Sequence, residues 1–441
     1  MVGSSFYIIR EAINHFCEIR IPNTIQPVNL IRNNDANSMA LNTLLKKISS
    51  NYRLLILLAL PILLVACKKY NPNIQLNNAE RADSLLNGTP GFLSRGINLS
   101  NWFNDYSDSK QYGTRFNSAH FSTIRSWKVN NVRIPIGVTV LFQPNNPSQL
   151  NPTNLPWVEA AVKRANDAGL TVTLNLHPWK HEMDSLLANN PTMPQKLAAY
   201  WKAMAEHFVK LAPDKLVFEI YNEPHAAVTN LTSKPKSWWY PVQEMSIAAI
   251  RSVTKNHFII VGGENWNSWN DLPNVPIYNY PNLIYNFHFY EPYVFTHQGA
   301  DWANAWWPKL KDIPYPSSPE NIAPFIAKAK DAPLIEMLTD YGNMAYNYQV
   351  LQSQIRTVVE WAIKNNRMIL CNEFGAYKPF APRSSRLTYL KDVQTILNQY
   401  KIGWALWELD EGFGLLNYTS SNRYYFEEDK EVLKVLGLMN Q

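Results

Sequence analysis

The sequence predicts an α/β fold, a (β/α)8 TIM barrel in which eight parallel strands alternate with helices. Two observations support this fold. Short runs of apolar and β-branched residues alternate with stretches of helical spacing from residue 93 onward, and a polar residue stands at the end of every run. Eight such units over roughly 350 residues fit a barrel with insertions. A doubly wound open sheet is the alternative, but no Gly-x-Gly-x-x-Gly or P-loop sequence follows the first run.

Several candidate strands are continuously apolar, as parallel strands buried on both faces are. In chain order the candidate strands are Arg95–Ser100, Asn131–Gly137, Leu170–His177, Leu216–Glu223, His257–Gly263, Leu283–Tyr290, Arg367–Phe374 and Gly403–Asp410. The predicted helices between them are Pro156–Gly169, Pro194–Leu211, Ser237–Lys255, Val350–Asn366 and Ser385–Tyr400. The long stretch Glu291–Asn366 predicts an insertion after strand six, and such an insertion is usually a functional loop.

The N-terminal part of the chain reads as a targeting sequence. Residues 54–67 form an apolar run preceded by Lys46, Lys47 and Arg53, and this run is shorter than the ~20 residues that a membrane span needs. The run ends in Leu64-Val65-Ala66-Cys67, which resembles the bacterial lipobox. The resemblance implies cleavage before Cys67 and acylation of its sulfur. A plain signal peptide with an incidental cysteine is the alternative.

These features divide the chain into four predicted parts. They are an upstream segment that an over-long gene start would explain (1–38), a lipoprotein signal peptide (39–66), a lipid-anchored polar tether (67–88) and the barrel domain (89–441). If Cys17 belongs to the leader and Cys67 is lipidated, Cys371 is alone and no internal disulfide can form. We therefore expect an exported bacterial lipoprotein at the outer membrane or cell surface, with the periplasmic face as an alternative.

The composition excludes several classes of protein. With 441 residues, of which 46% are hydrophobic and 17% charged, the chain can bury a large core and is not disordered over most of its length. The net charge of +6, without a basic stripe or a zinc-ligand pattern, argues against nucleic acid as a partner. The 15 Trp and 23 Tyr favour a flat-faced ligand or a broad contact surface.

Two glutamates stand out among the polar residues at the strand ends, where barrel enzymes build their active sites. Glu223 and Glu373 each follow an asparagine at the end of an apolar run. Hydrolysis of a glycoside needs two carboxyls that face each other across the sugar, one protonated and one ionised. Strands four and seven lie on roughly opposite sides of a barrel mouth, so these side chains can converge. A separation of ~5–5.5 Å predicts retention of anomeric configuration, and ~6.5–9.5 Å predicts inversion.

Five short motifs then give the sequence a family resemblance. In chain order they are Arg95-Gly-Ile-Asn, Val132-Arg-Ile-Pro, Tyr221-Asn-Glu-Pro, His288-Phe-Tyr and Asn372-Glu-Phe-Gly. As an ordered set they resemble glycoside hydrolase family 5, the cellulase-like barrel enzymes, from about Gly91 to about Leu415. Any one of these motifs is weak, but their order is specific.

The resemblance implies a role for each matching residue. Glu223 would be the general acid/base, and Glu373 would be the nucleophile. Arg133 would orient Glu373, and Asn222 would bind the sugar 2-hydroxyl. His177 would line the −1 subsite, and Trp407 would form the floor under the ring. His288 and Tyr290 would brace the nucleophile and the protonation path. Further subsites are predicted at Trp102, Trp179, Trp266 and Trp302. No cofactor and no metal are implied.

Structural explanations compete with some of these roles. Arg133 could instead form an ion pair with Glu219, which shares the inward face of strand four by period-two counting. His288 could be a core histidine. His177 and His181 are four residues apart, a spacing that binds metal on a helix, but they stand at a strand end and in a loop. The competing carboxyl residues Glu264, Glu291, Glu408 and Asp410 are predicted to bind substrate or to support the site.

We therefore expect a monomeric, retaining glycoside hydrolase that binds a β-linked oligo- or polysaccharide. The first substrate, by resemblance only, is a β-1,4-glucan, as for an endo-β-1,4-glucanase. Mannan, β-1,3-glucan and xyloglucan stay open, because the loops of a barrel shape its subsites. Two predictions of other classes are a non-catalytic glycan-binding lipoprotein and a metal-dependent hydrolase, whose activity a chelator would abolish.

Overall fold

The computed structural model describes residues 88–440, apart from 108, 181, 226–237, 303–304, 420–422 and 424. In this range eight parallel strands pair in chain order and close into a barrel, with β1 beside β8. The strands are β1 Arg95–Asn98, β2 Asn131–Ile136, β3 Thr171–Leu176, β4 Leu216–Glu219, β5 Ile259–Gly262, β6 Leu283–Phe289, β7 Met368–Phe374 and β8 Gly403–Leu406. The closure confirms the predicted (β/α)8 fold and excludes the open sheet.

The helices alternate with the strands, and the five predicted helices are present with ends that differ by a few residues. The α-helices of the described residues are α1 Ser118–Ser126, α2 Val138–Leu141, α3 Leu155–Asp167, α4 Glu182–Asn189, α5 Met193–Phe208, α6 Trp239–Arg251, α7 Tyr293–Thr296, α8 Pro319–Ile326, α9 Ala332–Asn343, α10 Tyr348–Asn365, α11 Arg383–Gln399 and α12 Lys430–Val435. Short 3-10 helices occur at Gly91–Leu93, Ser109–Gln111, Leu272–Asn274, Trp307–Lys309 and Glu411–Phe413. After β8 a small antiparallel hairpin follows, formed by β9 Leu416–Tyr418 and β10 Phe426–Glu428.

Local sequence explains where the long helix α10 begins and ends. The side chain of Asn347 accepts hydrogen bonds from the backbone N–H groups of Gln349 and Val350, which have no partner inside the helix. At the other end Asn366 has a φ of 51°, the left-handed conformation that commonly stops a helix. Asn347 and Asn366 thereby set the bounds of α10, which leads into β7.

The amino ends of the strands are closed by the first described residues. Leu93 packs against one residue near the start of each of four strands, namely Val217, Ile260, Ile284 and Leu370. The hydroxyl of Thr89 donates to the carbonyl of Ile369 over 2.6 Å and accepts from the N–H of Gly403 over 2.7 Å. The chain therefore enters the barrel at the end opposite the carboxyl ends of the strands.

The segment between β6 and α10 contains α7, a 3-10 turn, α8 and α9. The helices α8 and α9 pack against each other. Ser318 caps α8 by accepting a hydrogen bond from the N–H of Asn321 over 3.3 Å. This is the segment in which the sequence predicts an insertion, and only its first part reaches the carboxyl ends of the strands.

One predicted subsite residue belongs to the core instead. The indole of Trp102 is 0% exposed, stacks on Phe103 with ring centroids 4.7 Å apart, and meets the edge of Phe116. Its Nε1 donates to the carbonyl of Tyr112 over 2.9 Å. The prediction that Trp102 forms a sugar subsite is therefore wrong, because both faces of the ring are covered by protein.

The predicted signal peptide, the lipidation site Cys67 and the tether lie outside the described residues. Within the described range, no helix is both long enough and apolar enough to span a bilayer.

Candidate active site

The carboxyl ends of the strands surround a cleft of about 1000 Å³. Most of the residues predicted for the site line this cleft: His177, Trp179, Asn222, Glu223, Trp266, Tyr290, Trp302, Glu373 and Trp407. Arg133 and His288 lie beneath the cleft floor, where their side chains are 1% exposed. The barrel therefore gathers residues from seven strands and loops that are distant in sequence.

Glu223 and Glu373 face each other at the centre of the cleft. Glu373 lies in β7 with its side chain 5% exposed, whereas Glu223 follows β4 with its side chain 29% exposed. A carboxyl oxygen of each, together with a ring nitrogen of His288, lies within a set of atoms no more than 4.8 Å apart. Glu223 has a φ of 48°, a left-handed conformation that is uncommon for a non-glycine residue and concentrates at functional sites.

The guanidinium of Arg133 uses all five of its N–H bonds within the barrel. Nε and Nη2 donate to the two carboxyl oxygens of Glu219 over 2.7 and 2.8 Å. Nη1 donates to Glu373 over 2.6 Å and to Asn98 over 2.8 Å, and Nη2 also donates to Asn222 over 2.8 Å. Arg133 therefore forms the ion pair with Glu219 and also orients Glu373, the two alternatives that the sequence left open.

Opposing effects act on the pKa of Glu373. Burial raises this pKa above its ordinary value, and the negative charge of Glu223 raises it further. The imidazole of His288 in its protonated form, the positive charge of Arg133 and the hydrogen bond from Tyr290 lower it. Glu373 is thus a buried carboxyl whose ionised form is held by donors on two sides, which is the environment of a nucleophilic carboxylate.

His288 and Tyr290 connect the two glutamates. His288 Nδ1 lies 2.6 Å from a carboxyl oxygen of Glu223 and 3.6 Å from one of Glu373. The hydroxyl of Tyr290 donates to Glu373 over 2.9 Å. Burial lowers the pKa of His288, which favours the neutral imidazole. Both residues come from the end of β6, so one strand places a hydrogen-bonding partner beside each carboxyl.

The same three groups also have the spacing of a metal site. Glu223, His288 and Glu373 offer two carboxyl oxygens and one imidazole nitrogen within 4.8 Å of one another. The second histidine of the His177–His181 pair lies outside the described residues. The guanidinium of Arg133, 2.6 Å from Glu373, already supplies a cation to this cluster.

Several aromatic side chains line the cleft. The ring of Trp407 lies nearly parallel to that of His177, with an interplanar angle of 17° and centroids 5.8 Å apart. The Nδ1 of His177 lies 2.9 Å from the amide oxygen of Asn175. Trp179 meets the exposed Tyr106 edge-on at 5.6 Å. These rings offer flat apolar faces of the kind that pack on a pyranose.

Two further indoles line the cleft and are more exposed. Trp266, 41% exposed, stacks on His225 with ring centroids 3.4 Å apart. Trp302, 57% exposed, meets Tyr377 edge-on at 4.8 Å. The cleft therefore offers two well-exposed indoles, Trp266 and Trp302, to a ligand.

Several cleft residues were missed by the sequence reasoning. The cleft is also lined by Tyr293, the first residue of α7, and by His297, the residue that follows α7. Glu411 and Phe413, from the loop after β8, line it as well. The spacing of four between Tyr293 and His297 places both on one face of a helical turn, which is a signal that could have found them. Burial lowers the pKa of His297 to about 4, so its imidazole is neutral at ordinary pH.

Of the four competing carboxyl residues, Glu408 lines the cleft. It accepts a hydrogen bond from the hydroxyl of Ser100, and burial raises its pKa to about 8. The other three are not among the residues that line the cleft. Asp410 pairs with Arg115 over 3.3 Å and Glu291 accepts from Trp269 over 3.0 Å, while burial raises the pKa of Glu264 to about 7.

A parallel eight-stranded barrel with two facing carboxyls at its carboxyl ends defines the class of barrel glycoside hydrolases. The family model described as cellulase (glycosyl hydrolase family 5) matches residues 86–412. The chain therefore belongs to glycoside hydrolase family 5, whose members hydrolyse O-glycosyl bonds. This confirms the family predicted from the five motifs.

The similar proteins are mostly endoglucanases. Endoglucanase C of Acetivibrio thermocellus is 24% identical over 343 residues, which cover 76% of this chain and 94% of that protein. A xyloglucan-specific endo-beta-1,4-glucanase of Bacteroides ovatus is 28% identical over 52% of this chain and 49% of that protein. The crystal structure of endoglucanase Cel5A from the hyperthermophilic Thermotoga maritima superimposes with a TM-score of 0.62 at 26% identity, over 78% of this chain and 97% of that one.

Proposed function

We propose that the protein is a retaining endo-β-1,4-glucanase that works by double displacement with Glu223 and Glu373. The observation that carries this proposal is the short gap between the two carboxyls, which have oxygens within 4.8 Å of each other. Retaining enzymes hold their carboxyls ~5–5.5 Å apart, whereas an inverting enzyme needs ~6.5–9.5 Å for a water molecule. A short gap between the carboxyl oxygens favours the first class.

In the first step Glu373 attacks the anomeric carbon as Glu223 protonates the departing glycosidic oxygen. A bond forms between a Glu373 oxygen and the sugar while the glycosidic C–O bond breaks. Arg133 and Tyr290 donate to Glu373 over 2.6 and 2.9 Å, which orients the attacking carboxylate. The greater exposure of Glu223, 29% against 5% for Glu373, suits a group that must reach an oxygen outside the ring.

In the second step water replaces the enzyme at the anomeric carbon. Glu223, now ionised, removes a proton from that water, and the bond between Glu373 and the sugar breaks. The negative charge of Glu373 is absent in the covalent intermediate, so the repulsion that it exerts on Glu223 disappears. Loss of that repulsion favours ionised Glu223, which fits its change from acid to base.

The substrate class rests on the relatives and on the shape of the cleft. Several relatives are endoglucanases, and the exposed indoles of Trp266 and Trp302 in the cleft suit a polysaccharide of several sugar units. Xyloglucan is a second candidate, because one relative is specific for it. Mannan is a third, since Cel5A from Thermotoga maritima has been solved in complex with mannotriose. β-1,3-Glucan is a further alternative within the family.

A polysaccharide panel tests the proposal. Soluble cellulose, mixed-linkage glucan, xyloglucan, glucomannan and laminarin would be incubated with the purified protein, and the released reducing ends would be measured. We expect the highest kcat/KM on the β-1,4-glucans, and NMR of the first-formed sugar should show the β-anomer. Binding of glucan without turnover would favour the non-catalytic glycan-binding alternative, and an initial α-anomer would contradict the double displacement.

We also propose that the protein is an exported lipoprotein, anchored through Cys67. The described barrel begins at the amino ends of its strands, with Thr89 bonded to Ile369 and Gly403. The apolar run 54–67 and its ending Leu64-Val65-Ala66-Cys67 support this proposal. Metabolic labelling with a radioactive or clickable fatty acid should mark the wild type and not Cys67→Ala, and labelling of both variants would contradict the anchor.

A further inference from the structure

The loop after β5 contains three consecutive left-handed residues. Asn265, Trp266 and Asn267 have φ values of 69°, 58° and 50°. L-amino acids other than glycine visit this region rarely and usually as single residues, with asparagine the most tolerant. Two asparagines therefore flank Trp266 at positions where most residues would be unfavourable. We call residues 265–267 the left-handed turn.

The left-handed turn is attached to the segment that carries Glu223. The backbone N–H of Trp266 donates to the carbonyl of Pro224 over 3.3 Å. The indole of the same residue stacks on the imidazole of His225, with centroids 3.4 Å apart and an interplanar angle of 22°. One backbone contact and one ring contact thus hold the two residues that directly follow Glu223.

The left-handed turn is also attached to His288. The backbone N–H of His288 donates to the carbonyl of Asn267 over 2.8 Å, and Ser268 pairs with His288 as an isolated parallel bridge. The side chain of Asn267 is 1% exposed and packs over Gly262, where a Cβ would collide with its amide. His288 Nδ1 in turn lies 2.6 Å from Glu223. The turn therefore reaches Glu223 by two routes.

We propose that the left-handed turn is a positioning element for Glu223, acting through Pro224 and His288. This inference rests on the proposed function, in which Glu223 protonates the leaving oxygen. The backbone conformation of Asn267 sets the direction of its carbonyl, and that carbonyl fixes the amide of His288. Because Trp266 also offers an exposed face to the cleft, a sugar stacked on it contacts the same turn that places the acid. Binding of a distant sugar is thereby linked to proton transfer.

A leaving-group comparison tests the proposal. Departure of 2,4-dinitrophenolate needs little help from an acid, whereas departure of phenolate needs a proton, so a misplaced Glu223 affects the second substrate more. The probes are 2,4-dinitrophenyl and phenyl β-cellobioside, and the quantity measured is kcat/KM. Asn267→Val introduces a β-branched residue that disfavours a positive φ, whereas Asn267→Gly removes the same amide and still permits it.

We expect Asn267→Val to lower kcat/KM for the phenyl substrate on the order of tenfold more than for the dinitrophenyl substrate, a part of the 10²–10⁴-fold that general acid catalysis supplies. Asn267→Gly should stay near the wild-type ratio of the two substrates. The matched control is Asn282→Val, because Asn282 also has a positive φ of 53° but precedes β6 at the amino end of the barrel. This control should lose activity on both substrates equally, if at all.

Several results would overturn the proposal. They are an equal loss on both substrates for Asn267→Val, no loss on either, or a selective loss of similar size in Asn267→Gly or Asn282→Val. If Asn267→Val does not fold, the exposed Asn265 is changed to Val and judged by the same ratios, since its φ of 69° carries the same constraint without burial. A wild type that hydrolyses neither aryl glycoside nor any polysaccharide would instead refute the proposed function, which keeps the two failures distinct.

Discussion

Arg133 binds Glu219 through two hydrogen bonds of 2.7 and 2.8 Å, deep in the barrel beneath the cleft. The same guanidinium donates to Glu373 over 2.6 Å. One cation thus binds two buried carboxyl groups, and Glu219 fixes the direction of the guanidinium plane that Glu373 needs. A bidentate pair suits this task, because arginine presents its donors in a rigid fork that lysine lacks.

Arg133→Gln should therefore affect both stability and the pH profile. Removing one partner of a buried ion pair leaves uncompensated charge, and we expect the free energy of unfolding to fall by about 3–5 kcal/mol. Since the Arg133 cation lowers the pKa of Glu373, its removal should move the acidic limb of kcat/KM to higher pH. Urea unfolding and a pH–rate profile measure the two effects.

The matched control is Arg386→Gln, because Arg386 is also 1% exposed but donates to the backbone carbonyls of Ala376 and Phe413. This variant should lose stability while its acidic limb stays in place. An unmoved acidic limb in Arg133→Gln would contradict the role of Arg133 in holding Glu373 ionised.

With added azide, the alanine variants of the two glutamates should give glycosyl azides of opposite anomeric configuration. In Glu223→Ala, azide attacks the covalent intermediate, a bond forms between azide nitrogen and the anomeric carbon, and the bond to Glu373 breaks. The product is the β-glycosyl azide. In Glu373→Ala, azide attacks the substrate directly and gives the α-glycosyl azide. Each alanine variant should lose on the order of 10⁴-fold or more in kcat without azide.

NMR of the azide products from 2,4-dinitrophenyl β-cellobioside checks this assignment. Exchanged anomers would mean that the acid/base and the nucleophile have been assigned the wrong way round. Absence of any azide product from both variants would contradict the double displacement itself.

The sequence predicted the eight strands and the pair Glu223 and Glu373, because a buried parallel strand with a polar end has a clear local pattern. It did not reveal that Trp102 is covered by protein, since an indole in a core and an indole on a sugar subsite have the same local sequence. It left open whether Arg133 serves Glu219 or Glu373, and the structure shows that one side chain can do both. The left-handed turn was also out of reach, because no local pattern predicts three consecutive positive φ values, and the contacts of the turn with Pro224 and His288 join residues that are distant in sequence.

Trp179 and Trp102 should respond differently to substitution. Trp179 lines the cleft and meets Tyr106, so Trp179→Ala should raise KM on polysaccharide by about threefold to tenfold, the value of one aromatic contact. Trp102 is fully buried, so Trp102→Ala should instead lower the free energy of unfolding by about 3–5 kcal/mol. Kinetics on soluble cellulose and urea unfolding, applied to both variants, separate the two effects. A raised KM in a Trp102→Ala protein that is still folded would show that Trp102 contributes to substrate binding.

A chelator should leave the activity unchanged. Glu223, His288 and Glu373 have metal-like spacing, but the Arg133 guanidinium already lies 2.6 Å from Glu373 and would repel a divalent cation. Dialysis against EDTA, followed by an assay with and without Mg²⁺, Ca²⁺ or Zn²⁺, measures this. Loss of activity with EDTA and its return with one of these ions would favour the metal-dependent alternative.

Glu408 should make the folded state less stable as the pH rises. Burial raises its pKa from 4.5 to about 8, so between these values the folded protein retains a proton that the unfolded chain has lost. The unfolded state therefore binds fewer protons, and stability falls with increasing pH in this window by at most about 1.4 kcal/mol per pH unit. Glu408→Gln stays neutral at every pH and should gain stability relative to the wild type between pH 5 and pH 8.

Urea unfolding at several pH values measures the difference in stability between this variant and the wild type. The control is the same substitution at the exposed Glu206, since solvent screens its weak contact with Lys202. A Glu408→Gln variant that follows the wild-type pH dependence throughout would show that this carboxyl is ionised in the folded protein.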